Sequence, residues 1–119
     1  MRFIQSKLPD AWLIEPEPIS DERGYFMRSF CARVFAERGL ETRFVQHSQS
    51  YSARKGTLRG MHFQTAPHAE VKVVSCFAGA IYDVIIDLRP GSPTYRSVSA
   101  WDSTPAWPTS GMATTSAPR

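Results

Sequence analysis

The sequence has few cysteines, no long hydrophobic run and no block of like charge. Its two cysteines, Cys31 and Cys76, lie in unrelated contexts without a CxxC pattern, which favours reduced core thiols. No apolar stretch approaches the length of a membrane span, and the N-terminus becomes polar before a signal-peptide core could form. We therefore expect a cytoplasmic protein.

Charge of one sign is also scarce. The 14 basic and 11 acidic residues are interspersed and give a formal charge of +3. Without a Lys/Arg run or stripe the sequence gives no case for nucleic-acid binding, whereas a mild positive balance suits a small anionic ligand. The length of 119 residues and the hydrophobic fraction of 42% are typical of one globular domain.

Hydrophobic alternation predicts mostly strands. The clearest signals span 71–77 and 81–88, separated by a turn, and weaker ones span 25–30, 44–51 and 57–64. Residues 1–19 contain three prolines and are typical of an edge strand or arm. One short helix is predicted over 31–38, with Gly39 placed to cap it. Many short strands with one helix indicate an all-β sandwich or barrel.

The last part of the chain changes character. Residues 96–119 are rich in Pro, Ser, Thr and Ala and have almost no periodicity. Such a segment buries too little apolar surface to offset its ordering entropy. We therefore predict a domain at 1–95 followed by an irregular, disordered tail at 96–119.

The most informative segment for chemistry is 55–64. It places His62 close to Arg59, and Lys72 follows ten residues later. A neutral imidazole can accept a proton next to a carbonyl group, while Arg or Lys stabilises the negative charge that develops on the oxygen. Structural roles compete with this interpretation: a hydrogen-bonded strand histidine, an arginine paired with a core carboxylate, and a lysine that blocks strand aggregation.

Five blocks of sequence closely resemble the dTDP-4-dehydrorhamnose 3,5-epimerase family. They cover about residues 1–95 and read DERGYF at 21–26, FVQ at 44–46, GTLRGMHFQ at 56–64, PHAEVK at 67–72, and GAIYDVIIDLR at 79–89 with SPTY at 92–95. The resemblance implies a cupin-type jelly roll that forms a homodimer and needs no metal or other cofactor. It also implies a dTDP-linked 4-keto-6-deoxy sugar as substrate, in dTDP-L-rhamnose biosynthesis.

The resemblance also implies roles for individual residues. His62 would be the base that removes the protons at C3 and C5, the carbons that flank the C4 ketone. Lys72 would lie near the O4 atom that becomes negative, and Asp83 would orient His62. Arg23 and Arg59 would hold the pyrophosphate through their planar guanidinium groups. The remaining positions matched to substrate contacts are Phe26, Gln46 and Ser48.

The chain departs from the family pattern in three places. Arg28 stands where members often carry an acidic residue, and Ser48 where they often carry asparagine. After Tyr95, three features of the family are not found: a Pro-x-Gly-Phe-x-His-Gly-Phe block, a tyrosine that acts as the acid, and a further carboxylate that pairs with the histidine. We therefore expect a chain that is truncated or frameshifted after about residue 95 and that is inactive or unstable.

Two alternative functions stay open at this point. Gly56 and His62 have the G-x5-H spacing of a metal-dependent cupin, and His68 and Glu70 follow. The second alternative is a non-catalytic sugar-nucleotide-binding or interaction module, which would keep the arginines and Gln46 but lack the acid.

Overall fold

The computed structural model describes residues 1–104 and the strand at 112–115. In these residues it contains eight strands and one five-residue helix, so the prediction of an all-β fold with one short helix is confirmed. The elements in chain order are β1 (Arg2–Gln5), β2 (Ala11–Glu15), β3 (Ile19–Asp21), β4 (Gly24–Phe26), α1 (Ala32–Ala36), β5 (Lys72–Ser75), β6 (Ile81–Ile86), β7 (Val98–Ser103) and β8 (Met112–Thr115).

The largest sheet has four antiparallel strands in the order β1-β2-β8-β5. The first two form a hairpin in which Arg2 lies opposite Glu15, and the side chains of these two residues form an ion pair. Strand β8 lies between β2 and β5, and Thr115 is opposite both Ala11 and Lys72. The prediction of an edge strand near the N-terminus is correct for β1, whereas β2 lies inside the sheet.

The core lies between this sheet and the helix. Ile14 on β2 and Phe35 on α1 are fully buried. The ring of Phe35 packs edge-on against Phe3, Phe30 and Phe44, with centroids 5.6, 4.8 and 6.4 Å away. Edge-to-face contacts at these distances add to the free energy gained from burying each ring. The aromatic cluster therefore fixes the helix against the sheet.

Helix α1 is shorter than the predicted span of 31–38, and its end follows the predicted mechanism. Gly39 has φ of +69°, which is the left-handed conformation that glycine adopts without strain. Its N–H donates to the carbonyl of Ala36 at 2.9 Å, and the N–H of Leu40 donates to that of Phe35 at 3.0 Å. These two bonds form a Schellman cap, which satisfies carbonyls at the helix end.

Two further hairpins complete the architecture. Strands β3 and β4 pair around a turn at Glu22 and Arg23. Strands β6 and β7 pair along their whole length, from Ile81 opposite Ser103 to Ile86 opposite Val98.

Strand β7 lies inside the range 96–119 that the sequence predicts to be irregular. Its own alternation is weak, but pairing with β6 satisfies the backbone N–H and C=O groups that face that strand. The four residues of β8 also form a strand, between β2 and β5. For these two stretches the prediction of an irregular tail is wrong. Residues 105–111 and 116–119 lie outside the described part of the chain, so for them the irregular tail stays a prediction. The domain boundary at residue 95 also stays a prediction.

The strands predicted at 44–51 and 57–64 do not form. No residue between 41 and 71 is assigned to a strand, and most of the side chains there are exposed. A strand requires a neighbouring strand for its N–H and C=O groups, and neither stretch pairs with another among the described residues.

No helix of the described residues has the length and apolar character that a membrane crossing requires.

A buried carboxylate connects the β6–β7 hairpin to the N-terminal hairpin. The side chain of Asp87 is 1% exposed. Its oxygens accept bonds from Arg89 Nε at 2.9 Å and Nη2 at 2.8 Å, from Ser92 Oγ at 2.6 Å and from Thr94 Oγ1 at 2.7 Å. Arg89 also donates to Asp10 Oδ2 at 2.8 Å and to the carbonyl of Pro9 at 2.9 Å. The Arg89 guanidinium, followed by the two hydroxyl groups, holds the pKa of Asp87 far below its ordinary value.

We predict that Asp87→Asn lowers the free energy of unfolding at pH 7 by about 2–4 kcal/mol, because it leaves Arg89 without its main partner. The pKa of Asp87 is lower in the folded chain than in the unfolded chain. The stabilisation is therefore complete above the unfolded pKa of about 3.9 and is lost as the pH falls below it. Urea unfolding followed by tryptophan fluorescence between pH 7 and pH 3 measures both effects.

The control is Glu37→Gln, which breaks an exposed pair with Arg33 on the helix and should cost no more than about 0.5 kcal/mol. If Asp87→Asn does not fold, Ser92→Ala removes a single donor and should cost about 1 kcal/mol. Equal effects at Asp87 and Glu37, or the same pH dependence in wild type and Asp87→Asn, would contradict the assignment.

Candidate active site

The predicted site residues lie in four parts of the structure. Arg23 and Phe26 belong to the β3–β4 hairpin, Lys72 opens β5, and Asp83 lies on β6. The long irregular segment between α1 and β5, residues 41–71, carries the other four: Gln46, Ser48, Arg59 and His62.

His62 is an exposed side chain on this segment. Among the described residues, its ring makes no hydrogen bond or ion pair. The sequence predicts that Asp83 orients it, but no hydrogen bond joins the two side chains in the part of the chain that is described. Asp83 is half-buried and lies opposite Trp101 of β7. The imidazole is therefore accessible to a ligand, and no carboxylate of residues 1–104 holds it.

Arg59 is fixed by the loop in which it lies. Its Nη2 donates to the carbonyl of Tyr51 and to Ser52 Oγ, both at 3.2 Å, and its Nε donates to the same hydroxyl at 3.3 Å. The loop is closed by Thr57, whose hydroxyl donates to the carbonyl of Arg54 at 2.7 Å. Because Arg59 has no carboxylate partner among the described residues, its positive charge is not neutralised by the protein there. The structural alternative of a paired core carboxylate is wrong in this structure.

Lys72 is the first residue of β5, and its backbone is held by the pairing with β8. Its Nζ lies 3.1 Å from Glu70 Oε1, and both side chains are about one-third exposed. The next residue, Val73, points to the other face and packs against the core cluster. Lys72 therefore projects from the face of the strand that lies away from Ile14 and Phe35, in contact with a carboxylate that the sequence analysis did not place near it.

The β3–β4 hairpin presents its two predicted contacts to solvent. Arg23 Nε donates to Asp21 Oδ2 at 3.1 Å, within the turn. This contact lowers the pKa of Asp21 and raises that of Arg23. Phe26 is 68% exposed. The positive charge of Arg23 is thus paired locally, and an anionic ligand would compete with Asp21 for the guanidinium.

The depression described in the structure lies apart from these residues. An open depression of about 480 Å³ is lined by Ala36 and by residues 39–43, which include none of the predicted site residues. Gln46 and Ser48 are exposed on the irregular segment. None of the eight predicted residues therefore lines this depression.

The described residues form no cluster of metal-ligating side chains. Within residues 1–104, no group of three or more His, Cys, Asp or Glu side chains is arranged to hold a metal ion. His62 and His68, the two histidines of the metal-dependent alternative, are both exposed. A zinc or iron site requires three or four converging ligands, so no observation on the described residues favours the metal-dependent cupin.

Comparison with known proteins identifies the family of the chain. A family model described as dTDP-4-dehydrorhamnose 3,5-epimerase matches residues 5–103. The chain belongs to this epimerase family. The match includes every predicted site residue, and it extends beyond residue 95 to the end of β7.

Relatives and solved structures agree with this family assignment. The dTDP-4-dehydrorhamnose 3,5-epimerase of Shigella flexneri is 45% identical over 96 residues, which are 80% of this chain and 52% of the relative. A crystal structure of the Bacillus anthracis enzyme, with TDP and PPi bound, superposes with a TM-score of 0.88 at 38% identity. The superposition includes 96% of this chain and 64% of the B. anthracis chain. The fold is therefore the cupin-like jelly roll of this family.

A third comparison includes a sugar ligand. The Legionella pneumophila dTDP-6-deoxy-D-glucose-3,5-epimerase was solved in complex with dTDP-4-keto-L-rhamnose. It superposes with a TM-score of 0.86 at 34% identity, over 97% of this chain and 60% of that one. The chain spans about half the length of the curated relatives that it matches.

Two contacts in the structure are not predicted by the sequence patterns. The sequence suggests Glu70 only as a metal ligand, although its spacing from Lys72 contains a signal, because residues i and i+2 of an extended segment share a face. Arg89 stands out in the sequence only as part of a family block. Its bonds to Asp10 and Pro9 span 79 and 80 residues, and no local pattern predicts such a contact.

Proposed function

We propose that this protein acts on a dTDP-linked 4-keto-6-deoxy sugar as a 3,5-epimerase of dTDP-L-rhamnose biosynthesis, with His62 as the base. The imidazole takes the proton from C3 or C5, and the electron pair left on carbon moves into the C4 carbonyl to form an enolate on O4. Return of a proton to the opposite face of the carbon completes the epimerisation. The tyrosine that the resemblance implies as the acid is not found after Tyr95, so we assign this proton to water and expect turnover to be slow. The observation that carries the proposal is the family match over 5–103, which includes His62 and Lys72.

Lys72 stabilises the enolate in this proposal. An ammonium group near O4 has its largest effect when the negative charge develops, and it lowers the barrier more than it strengthens binding of the ketone. Asp83 is assigned to orient His62 in the ligand-bound protein. The absence of that contact in the described chain is compatible with this role, because catalytic hydrogen bonds in unliganded structures are often long and tighten in the complex.

The charge of the segment that contains His62 supports an anionic ligand. Between residues 54 and 72 there are four basic residues and one acidic residue, Glu70. We assign Arg59 and Arg23 to the pyrophosphate, because a guanidinium group offers two parallel donors to phosphate oxygens. Phe26, Gln46 and Ser48 are assigned to the remaining contacts with the sugar nucleotide. TDP in the B. anthracis enzyme and dTDP-4-keto-L-rhamnose in the L. pneumophila enzyme are ligands of this class.

We also propose a homodimer in the cytoplasm as the working form. Several large apolar side chains are exposed in the single chain, among them Leu58 at 92%, Phe63 at 68% and Phe77 at 71%. Apolar surface of this extent is usually covered by a partner. The oligomeric state is measured directly by sedimentation velocity of the purified chain.

The first test of the proposal is solvent exchange. The chain is incubated with dTDP-4-keto-6-deoxyglucose in D2O, and the protons at C3 and C5 are followed by NMR. We predict that His62→Ala lowers the exchange rate at least 100-fold, because general-base catalysis contributes a factor of this order. The matched control is His68→Ala, which removes another exposed histidine of the same segment and should leave the rate unchanged.

Two outcomes of the exchange experiment would contradict the proposal. Exchange that survives in His62→Ala places the base elsewhere and contradicts the proposal. If the folded wild-type chain binds dTDP but exchanges no proton, the function is that of a non-catalytic binding module.

The second test concerns the nucleotide. We predict that Arg59→Ala raises the dissociation constant of TDP about tenfold or more, because a charge-assisted bidentate contact is lost. Isothermal titration calorimetry measures the constant. Ser52→Ala is the control: it removes one acceptor that holds the Arg59 side chain but keeps the guanidinium, so affinity should change by less than about threefold. Equal losses in the two variants would indicate that loop geometry, and not the charge of Arg59, determines binding.

A further inference from the structure

The ion pair between Lys72 and Glu70 is not explained by the assignments above. Lys72 Nζ and Glu70 Oε1 are 3.1 Å apart. Side-chain exposures of 36% and 34% indicate that the pair is partly shielded from water. The partner of the proposed enolate-stabilising cation is therefore the single carboxylate between residues 54 and 72.

The backbone explains why these two side chains meet. In an extended chain, residues two apart point to the same side. Lys72 is fixed by pairing with β8, and Val73 on the opposite face packs against the core. Glu70 precedes the strand by two residues, so its carboxylate reaches the ammonium group along the same face.

We infer that Glu70 is a positioning residue for Lys72, an inference that rests on the proposed function. A lysine side chain has a flexible four-carbon stem and loses considerable rotamer entropy when it is held in one place. Contact with Glu70 restricts that stem before a substrate arrives. An ammonium group has three N–H donors, so one bond to Glu70 leaves two donors for a substrate oxygen.

The carboxylate has a second, opposing effect. Its negative charge reduces the positive potential at Lys72 and so weakens attraction for an anionic ligand. Two variants distinguish the effect of Glu70 on the position of Lys72 from the effect of its negative charge. Glu70→Gln keeps an acceptor oxygen at the same distance along the side chain but removes the charge, whereas Glu70→Ala removes both.

The pair itself is tested without any enzymatic activity. The folded chain is treated with a limiting amount of an acetylating reagent, and the extent of labelling at each lysine is measured by mass spectrometry. We expect Glu70→Ala to increase labelling of Lys72 about two- to fivefold, the range that corresponds to a partly exposed ion pair. Lys7 and Lys55 should not change, and Glu70→Gln should lie between wild type and Glu70→Ala. Equal labelling of Lys72 in all three proteins overturns the inference.

The positioning role is tested by the deuterium-exchange reaction. Glu70→Ala should lower the maximal rate about three- to tenfold while the KM for the sugar nucleotide stays the same or falls, because a competing charge has been removed. Glu70→Gln should restore at least half of the lost rate. Glu37→Ala, which breaks an ion pair on the helix, should match wild type in both parameters.

The remaining outcomes distinguish the two proposals. If His62→Ala abolishes exchange but neither Glu70 variant changes the rate, the epimerase proposal stands and the positioning role is wrong. If wild type shows no exchange, the epimerase proposal fails and the positioning role fails with it, while the labelling result still decides whether the ion pair forms in solution.

Discussion

The contact between Asp87 and Arg89 connects parts of the molecule that belong to different sheets. Asp87 follows β6 directly, and Arg89 extends from it to Asp10 and to the carbonyl of Pro9, in the turn between β1 and β2. The proposed enolate-stabilising residue, Lys72, lies on the sheet that contains that N-terminal hairpin, whereas Asp83 lies on β6. The relative position of Lys72 and Asp83 therefore depends on a buried carboxylate that touches neither of them.

This arrangement separates the rigid part of the candidate site from the part that a ligand has to organise. Lys72 and Asp83 are on paired strands, whose backbones are held by hydrogen-bonded ladders. His62 and Gln46 are on an exposed segment with no strand pairing among the described residues. Residues on strands are positioned more precisely than residues on loops. In the proposed function, the ordering of His62 as the base therefore depends on contacts that the ligand or a partner chain provides.

The sequence predicted the fold best where the structural signal is local. Alternation identified β5 and β6, and Gly39 identified the end of the helix, because strand faces and a left-handed cap are properties of a few neighbouring residues. Alternation failed at 44–51 and 57–64, since it reports a preference for an extended chain and cannot supply a pairing strand. It also missed β7, whose weak pattern becomes a strand through pairing with β6.

For the candidate site, the sequence supplied residue types and the family, and the structure supplied the partners. Ionisable side chains act according to their neighbours: Arg59 has no carboxylate partner in the described chain, Arg23 is paired with Asp21, and Lys72 with Glu70. If all three cations were unpaired, their mutual repulsion and the cost of ordering long side chains would oppose a defined site. Pairing two of them with carboxylates reduces the repulsion. Of the three, Arg59 is then the cation that no described carboxylate neutralises, and its charge is the one most available to an incoming phosphate. In the proposed function, Arg23 then exchanges Asp21 for a phosphate of the anionic ligand, which costs less than desolvating an isolated guanidinium group. Lys72 keeps its bond to Glu70 and offers its other N–H donors to the sugar.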